Sequence, residues 1–347
     1  MKKSLFLLFA WCIAVVATAQ QKARVYAVGF YNQENLFDTC HDAGKQDYDF
    51  LPGGSYKWDG LKYGHKLRNM ARALADMGTD VLPHVGCAVI GLSEVENRRV
   101  LEDLVRQQPL AERGYAFAHI EGPDRRGIDC ALLYNPQLFT KQTERLVPYA
   151  MREAKDSAFF TRGFFTVTGE LAGEPVAFIV CHLPSRFSGS SYREWGATQV
   201  RAVKDSLLAL NPAMKVMVMG DMNDDPTDNS IRQGLSAKAE VAHVGPQDMY
   251  NPWYNLLVKQ GTGTLQYRGA WNLFDQIILS PNLLNAPGAK DFSTLKFWKA
   301  RIQRMPYLFE TEGKYKGSPK RTTAGGVWLD GYSDHLPVCV YLVKTQQ

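Results

Sequence analysis

Apolar residues along this chain fall mostly in short runs, each closed by Gly, Pro, Asn or Asp. Runs of that length between turn residues predict buried strands. Val25–Phe30, Val89–Leu92, Tyr115–His119, Cys130–Tyr134, Phe274–Leu279 and Leu336–Leu342 are of this kind. Phe164–Glu170 and Val176–Cys181 read as a hairpin turning at Ala172-Gly173-Glu174-Pro175. The most apolar run, Lys215-Val216-Met217-Val218-Met219, ends in Gly220-Asp221-Met222-Asn223-Asp224-Asp225-Pro226. It predicts a strand buried on both faces whose exit carries carboxylates and an amide.

Three stretches change period. Leu67, Met70, Ala71, Leu74 and Met77 recur at helical spacing between Tyr63 and Met77. A second helix starts across Val100–Val105, and a third has Trp195, Val200, Val203 and Leu207 on its apolar side. Strands outnumber helices, yet helices fall between several of them. The fold class this implies is α/β (α+β), two stacked mixed β-sheets with helices outside. Length alone permits two domains. No repeat, low-complexity tract or Pro/Ser-rich linker divides the chain, so residues 20–347 are expected to form a single domain. Pro281–Trp328, with scattered Gly, Lys and Pro, reads as long loops over its rim.

Lys2-Lys3, the apolar run Leu5–Val16 and Ala17-Thr18-Ala19 have the form of a secretory signal peptide. The run is short for a bilayer span, so no stable membrane anchor is expected. The mature protein is expected in the periplasm or outside the cell, as a monomer. Formal net charge is +5, and losing Lys2 and Lys3 leaves +3. That excess permits a polyanionic substrate without requiring one. Five cysteines remain after cleavage, and no CxxC or Cys/His spacing marks a zinc site. Cys87, Cys130, Cys181 and Cys339 lie in or beside apolar runs and are expected to be buried thiols. One disulfide is the alternative that export leaves open.

Polar groups collect at the strand ends: Asn32, Glu94, His182, Asp221, Asn223, Asp275, Asp334 and His335. Alone, each is an ordinary turn former, surface acid or satisfied histidine. Asp275 is the hardest to dismiss, because a carboxylate inside an apolar strand is costly unless paired or metal-bound. Together they make an oxygen-rich set that suits a hard cation, with imidazoles for proton transfer.

In this order the residues resemble the endonuclease/exonuclease/phosphatase superfamily. Tyr31-Asn32, Ser93-Glu94, His182, Gly220-Asp221-Met222-Asn223, Asp275 and Ser333-Asp334-His335 carry the likeness. Asn32-Gln33-Glu34-Asn35-Leu36-Phe37-Asp38, Arg126-Gly127-Ile128-Asp129 and Tyr267-Arg268-Gly269-Ala270-Trp271 are similar to its secreted bacterial nuclease-like members. The resemblance implies a four-layer sandwich. It implies a divalent cation, Mg²⁺ with Mn²⁺ or Ca²⁺ as alternatives, held by Glu94 with help from Asn32 and Asp334. It implies that Asp221 positions or deprotonates the attacking water, with Asn223 beside it. His335 would be oriented by Asp275, and His182 would be a second catalytic histidine. Arg126 and Arg186 are candidates to grip a phosphate, and Trp271 to stack on substrate. Departures from the secreted members fall at Leu183 and at Phe187-Ser188-Gly189-Ser190-Ser191, the substrate mouth.

The leading expectation is an exported phosphodiester hydrolase, most simply a nuclease, acting on nucleic acid or another phosphodiester. The alternatives are a sphingomyelinase- or phosphoinositide-phosphatase-like hydrolase, and a non-catalytic secreted binding protein on the same fold. Intact Asn32, Glu94, Asp221, Asn223, Asp275, Asp334 and His335 argue against the last. Processing after Ala19 is expected in an exporting host. N-terminal sequencing of the exported protein checks it, and an intact Met1 there overturns it.

Overall fold

The computed structural model describes residues 22–150 and 161–346. The stretch read as a signal peptide lies outside the described residues. The strands, in chain order, are β1 (Ala23–Leu36), β2 (Cys87–Val95), β3 (Ala116–His119), β4 (Asp129–Tyr134), β5 (Phe139–Val147) and β6 (Phe164–Leu171). Next come β7 (Glu174–His182), β8 (Lys215–Asp221), β9 (Ala237–Lys238), β10 (Met249–Tyr250), β11 (Leu265–Tyr267) and β12 (Ala270–Asn272). The series ends with β13 (Asp275–Leu279), β14 (Lys296–Ile302), β15 (Thr323–Ala324), β16 (Val327–Trp328) and β17 (Val338–Thr345). The helices are α1 (Gly60–Asp76), α2 (Arg98–Val105), α3 (Ser190–Leu210) and α4 (Tyr254–Gln260).

Among the described residues one sheet has the order β14-β17-β1-β2-β4-β3, and the other β5-β6-β7-β8-β13-β10-β9. Alternation along the strands explains the layers. On β1, Val28 and Phe30 enter the core between the sheets, where they meet Phe178, Val180, Met217, Met219 and Ile277 of the other sheet. Ala27 and Tyr31 point the opposite way, into a second core with Leu67, Met70 and Leu74 of α1 and Leu101 and Leu104 of α2. On the far side, Ile179 and Val218 pack against Val200, Val203 and Leu207 of α3. The expected sandwich of two mixed sheets between helices is therefore present. Asp59 caps α1 by accepting from the Lys62 N–H, and Asn97 caps α2 by accepting from Val100.

Besides several strands of two or three residues, two longer strands had no counterpart in the hydrophobic pattern. β5 is an edge strand whose exposed positions carry Thr140, Gln142, Thr143 and Arg145, the polar pattern of a protected edge. β14 is the other such edge and runs through the stretch read as rim loops. One face of each is solvated, so the apolar run that reveals a buried strand is missing. The five cysteines in the described residues are free thiols, four buried and Cys40 exposed. None of the helices among the described residues is long and apolar enough to cross a membrane.

The two sheets are also clamped by charge at the end where β7 begins. Glu174 accepts from Lys215 Nζ at 2.7 Å, Lys344 Nζ of the opposite sheet at 2.9 Å, and the Leu295 N–H at 2.8 Å. Burial pushes its carboxyl up, but the two lysines overcome this and hold it below the usual value. Glu174→Gln is expected to cost about 2 kcal/mol at pH 7, the scale of hydrogen bonds to a charged group. A depressed carboxyl stabilises the fold above its unfolded pKa and stops doing so as pH falls through the folded one. The gap in Tm between wild type and Glu174→Gln should hold from pH 7 down to about 4.5 and close below it. A gap unchanged at pH 3 overturns the assignment.

Candidate active site

The exit ends of β7 and β8 lie beside the start of antiparallel β13, with His182 paired to Asp221 and Asp221 paired to Asp275. Residues in register across neighbouring strands point to the same face, so three adjacent strands present one row of imidazole and two carboxylates. The spacing is tight. A side chain at Gly220 would meet the Cys181 carbonyl oxygen at 1.8 Å, so only glycine brings β8 this close to β7 beside the row.

The other sheet supplies the facing groups. Asn32 ends the regular pairing of β1, and Glu94 lies near the end of β2. The pairing of β1 with β2 slips between Asn32 and Leu36, and that of β2 with β4 between Ser93 and Val95. In these bulges Glu34, Asn35 and Glu94 have left-handed φ values of 45, 55 and 61°, and Asn223 beyond β8 has 50°. Each such residue costs about 1–3 kcal/mol, and strain of this kind collects at functional sites. Bulges re-aim side chains. Here they turn Glu94 into the cavity, where one of its oxygens accepts from the Asn35 N–H at 2.9 Å.

Asn32, His182 and His335 meet at one atom, Oδ2 of buried Asp221. Asn32 Nδ2 donates to it at 3.0 Å, His182 Nε2 lies 3.5 Å away and His335 Nε2 3.7 Å away. The second oxygen of Asp221 accepts from the Asn223 N–H at 2.9 Å. Burial pushes Asp221 up to about 6, against the pull of His335. Behind His335, its Nδ1 donates to Asp275 Oδ2 at 2.7 Å. Burial opposes a charged imidazole, yet Asp275 and Asp221 hold His335 well above the ordinary histidine value. His335 is thus an imidazolium near neutral pH, and Asp221 is the group able to accept a proton.

The cavity holds about 390 Å³ and is lined by Glu94, His182, Asp221, Asn223, Asp334 and His335 together with Arg125, Arg126 and Arg162. Arg126 lies 3.7 Å from Glu94 and is half exposed at the mouth. Asn223 is braced by its amide donating to the Leu183 carbonyl at 2.9 Å. The expected site residues are therefore brought together, with four differences. Asn32 was expected to help hold the cation. Its amide oxygen is taken by the Glu34 N–H, so its nitrogen faces the site as a donor to Asp221. His182 was expected as a second catalytic histidine. Burial, with Arg162 and Arg126 nearby, pushes it well below the usual value and keeps it neutral. Arg186 is committed to Asp225 and Asp228 at 3.1 and 2.9 Å and stays outside the cavity lining. Trp271 is half-buried, with the Arg304 guanidinium over its ring.

With this geometry in place, kinship can be read. Residues 27–344 match the sequence profile of the Endonuclease/Exonuclease/phosphatase family. The chain belongs to that family. Like the rest of the Endonuclease/Exonuclease/phosphatase family, it is a phosphoric ester hydrolase. Among curated proteins, none matches it in sequence. Its fold is similar to a family member from Bacteroides thetaiotaomicron, at 14% identity and TM-score 0.56, covering 94% of this chain and 97% of that one. A mannosyl-6-phosphatase from the same organism gives 15% and 0.56, covering 91% and 99%. D. rerio TDP2 complexed with single strand DNA product gives 14% and 0.52, covering 92% and 98%.

Two residues of this family member's site were not among the expected site residues. Arg162 is buried, donates to Asp124 at 2.9 Å, and leaves its Nε without a partner beside the cavity. Glu34 is buried behind the site and accepts from the Thr322 N–H at 2.7 Å. Neither ends an apolar run.

Asp221→Asn and His335→Ala should each lower kcat at least about 10²-fold, the scale of a general acid or base. Asp275→Asn should also be severe, because it favours the wrong tautomer of His335. Groups that act as a unit are non-additive, so Asp275→Asn/His335→Ala should be little worse than His335→Ala. Losses that multiply on a folded protein would show that the 2.7 Å contact has no catalytic meaning.

Proposed function

We propose that this chain is an exported, divalent-metal-dependent phosphodiester hydrolase whose substrate is a nucleic acid strand. One observation carries the reading: Asp221 Oδ2 stands within 3.0–3.7 Å of Asn32, His182 and His335, with Asp275 fixing the last. Asp221 holds the water and takes its proton as the oxygen attacks phosphorus, while the P–O ester bond opposite breaks and the departing alkoxide takes a proton from solvent. Asn32 keeps that carboxylate aimed. His335, charged by Asp275 and Asp221, meets the negative charge building on the phosphate oxygens. Neutral His182 donates a hydrogen bond, and Arg126 and Arg162 line the path of the incoming phosphate.

The donors present fit a Mg²⁺-type ion. No group of three His, Cys, Asp or Glu among the described residues forms a ready cage. Mg²⁺ needs none, since it is usually held by one or two carboxylates, its own waters and the substrate's phosphate. Glu94 and Asp334 line the cavity and are the residues that would hold it. When bound there it supplies charge neutralisation on the phosphate.

A second reading, hydrolysis of a small phosphate ester, is favoured by the aromatics. Arg304 covers Trp271, Trp328 packs edge-on against His65, and Tyr332 is buried. None of the three is an open stacking platform, the feature single-strand binding favours.

A panel of single- and double-stranded DNA, RNA, phospholipids, a generic diester and sugar phosphates, with Mg²⁺, Mn²⁺ or Ca²⁺, separates the readings. The expected outcome is preference for a strand, loss of activity in EDTA, and weaker Mg²⁺ binding by Glu94→Ala in calorimetry. Full turnover after exhaustive EDTA treatment overturns the metal; turnover of monoesters alone overturns the strand.

A further inference from the structure

Beside the catalytic cavity lies a second, larger one of about 700 Å³, and Asp334 lines both. Two short hairpins wall it. One is β11–β12, whose turn carries Arg268 and Gly269. The other spans residues 309–319. It is closed by the bridge of Phe309 to Pro319 and by the Glu310 N–H donating to the Ser318 carbonyl at 2.9 Å. The Ser318 hydroxyl donates to Gln266, tying the hairpins together. The first hairpin is also fixed to the catalytic strand end. Leu265 pairs with His335, and the Leu336 N–H donates to the Thr264 carbonyl at 2.8 Å. The position of the cavity relative to His335 is therefore set by backbone hydrogen bonds.

Its lining is cationic. Arg268, Lys314, Lys316 and Arg321 face Glu310 and Asp334. Arg321 is spent on its neighbours, 3.0 Å from Asp334 and 3.3 Å from Glu34. Arg268, Lys314 and Lys316 are exposed and make no ion pair among the described residues. Three unpaired cations on two tethered hairpins repel one another, and an anion between them relieves the repulsion. Tyr315 is 65% exposed on the same wall, with the Lys314 ammonium 5.5 Å from its ring centroid.

We infer that this cavity takes a second phosphate of the substrate, next to the one being cleaved. Resting on the strand reading above, the source is the neighbouring nucleotide of a single strand, with its base against Tyr315. The other source of the same chemistry is a small bisphosphate.

The test uses full-length Arg268→Ala/Lys314→Ala/Lys316→Ala, with Tm and far-UV spectra as controls for folding. Bis(p-nitrophenyl) phosphate offers one phosphate and a single-stranded hexanucleotide offers neighbours. On the first, kcat/KM should stay within about twofold. On the second it should fall at least about tenfold through KM, because charge contacts to a backbone bind rather than react. The log–log salt dependence should flatten by about 0.7, the slope for one phosphate contact on a single strand. Equal losses on both substrates, or an unchanged KM and salt slope on the strand, overturn the inference. If wild type cleaves no strand, that reading falls alone and calorimetry decides the cavity. Glucose 1,6-bisphosphate should then bind wild type more tightly than glucose 1-phosphate, and the triple variant should lose the difference. The same ratio in both proteins overturns the inference.

Discussion

One oxygen of one buried carboxylate organises this molecule. Asp221 Oδ2 draws donors from β1 and β7 and from the segment before β17, so both sheets are bound into its surroundings. A charge so far from water is costly unless its partners stay in place. The demand runs outward. Gly220 has no side chain, so that β7 and β8 stay close. The bulges of β1 and β2 hold left-handed residues so that Asn32 and Glu94 face the same point. Asp275 neutralises His335, which would otherwise lose its proton to burial. The core between the sheets makes these positions rigid, and strained backbone survives only where its surroundings over-determine it.

Charges at the site divide the labour between its two histidines. The rings reach the same carboxylate, but one has an acid behind it and the other has arginines nearby. Asp275 makes His335 a cation, whereas His182 Nδ1 is buried without a partner and Arg162 stands close. Chemistry and position therefore differ in kind between two residues of the same type. Spacing along a chain does not reveal such a difference, because it depends on groups far away in sequence.

What could be read beforehand follows the same logic. Strands buried on both faces announce themselves as apolar runs, and the polar residues at their ends, His182, Asp221 and His335, could be picked out from them. The expected helices correspond to α1, α2 and α3 because each buries one stripe against a sheet. Edge strands β5 and β14 stayed hidden, because their outer faces are polar and charged. Asn32 was placed correctly, but its amide orientation depends on the Glu34 N–H and hence on a left-handed bend. Arg162 and Glu34 were not among the expected site residues for a related reason. A buried charge looks like a surface one until its partner, here Asp124 or the Thr322 backbone, is known.

The pairing of β1 with β17 sets an order of assembly. Ser333, which ties Asn32 to the His335 segment through its hydroxyl, is made 301 residues after it. At ribosomal speeds of about 5–20 residues per second, that gap is roughly 15–60 s. Throughout it β1 lacks its antiparallel neighbour β17, although β2 and Asp221 are made well before. The His335–Asp221 contact is therefore absent from a nascent chain until nearly all of it has been made.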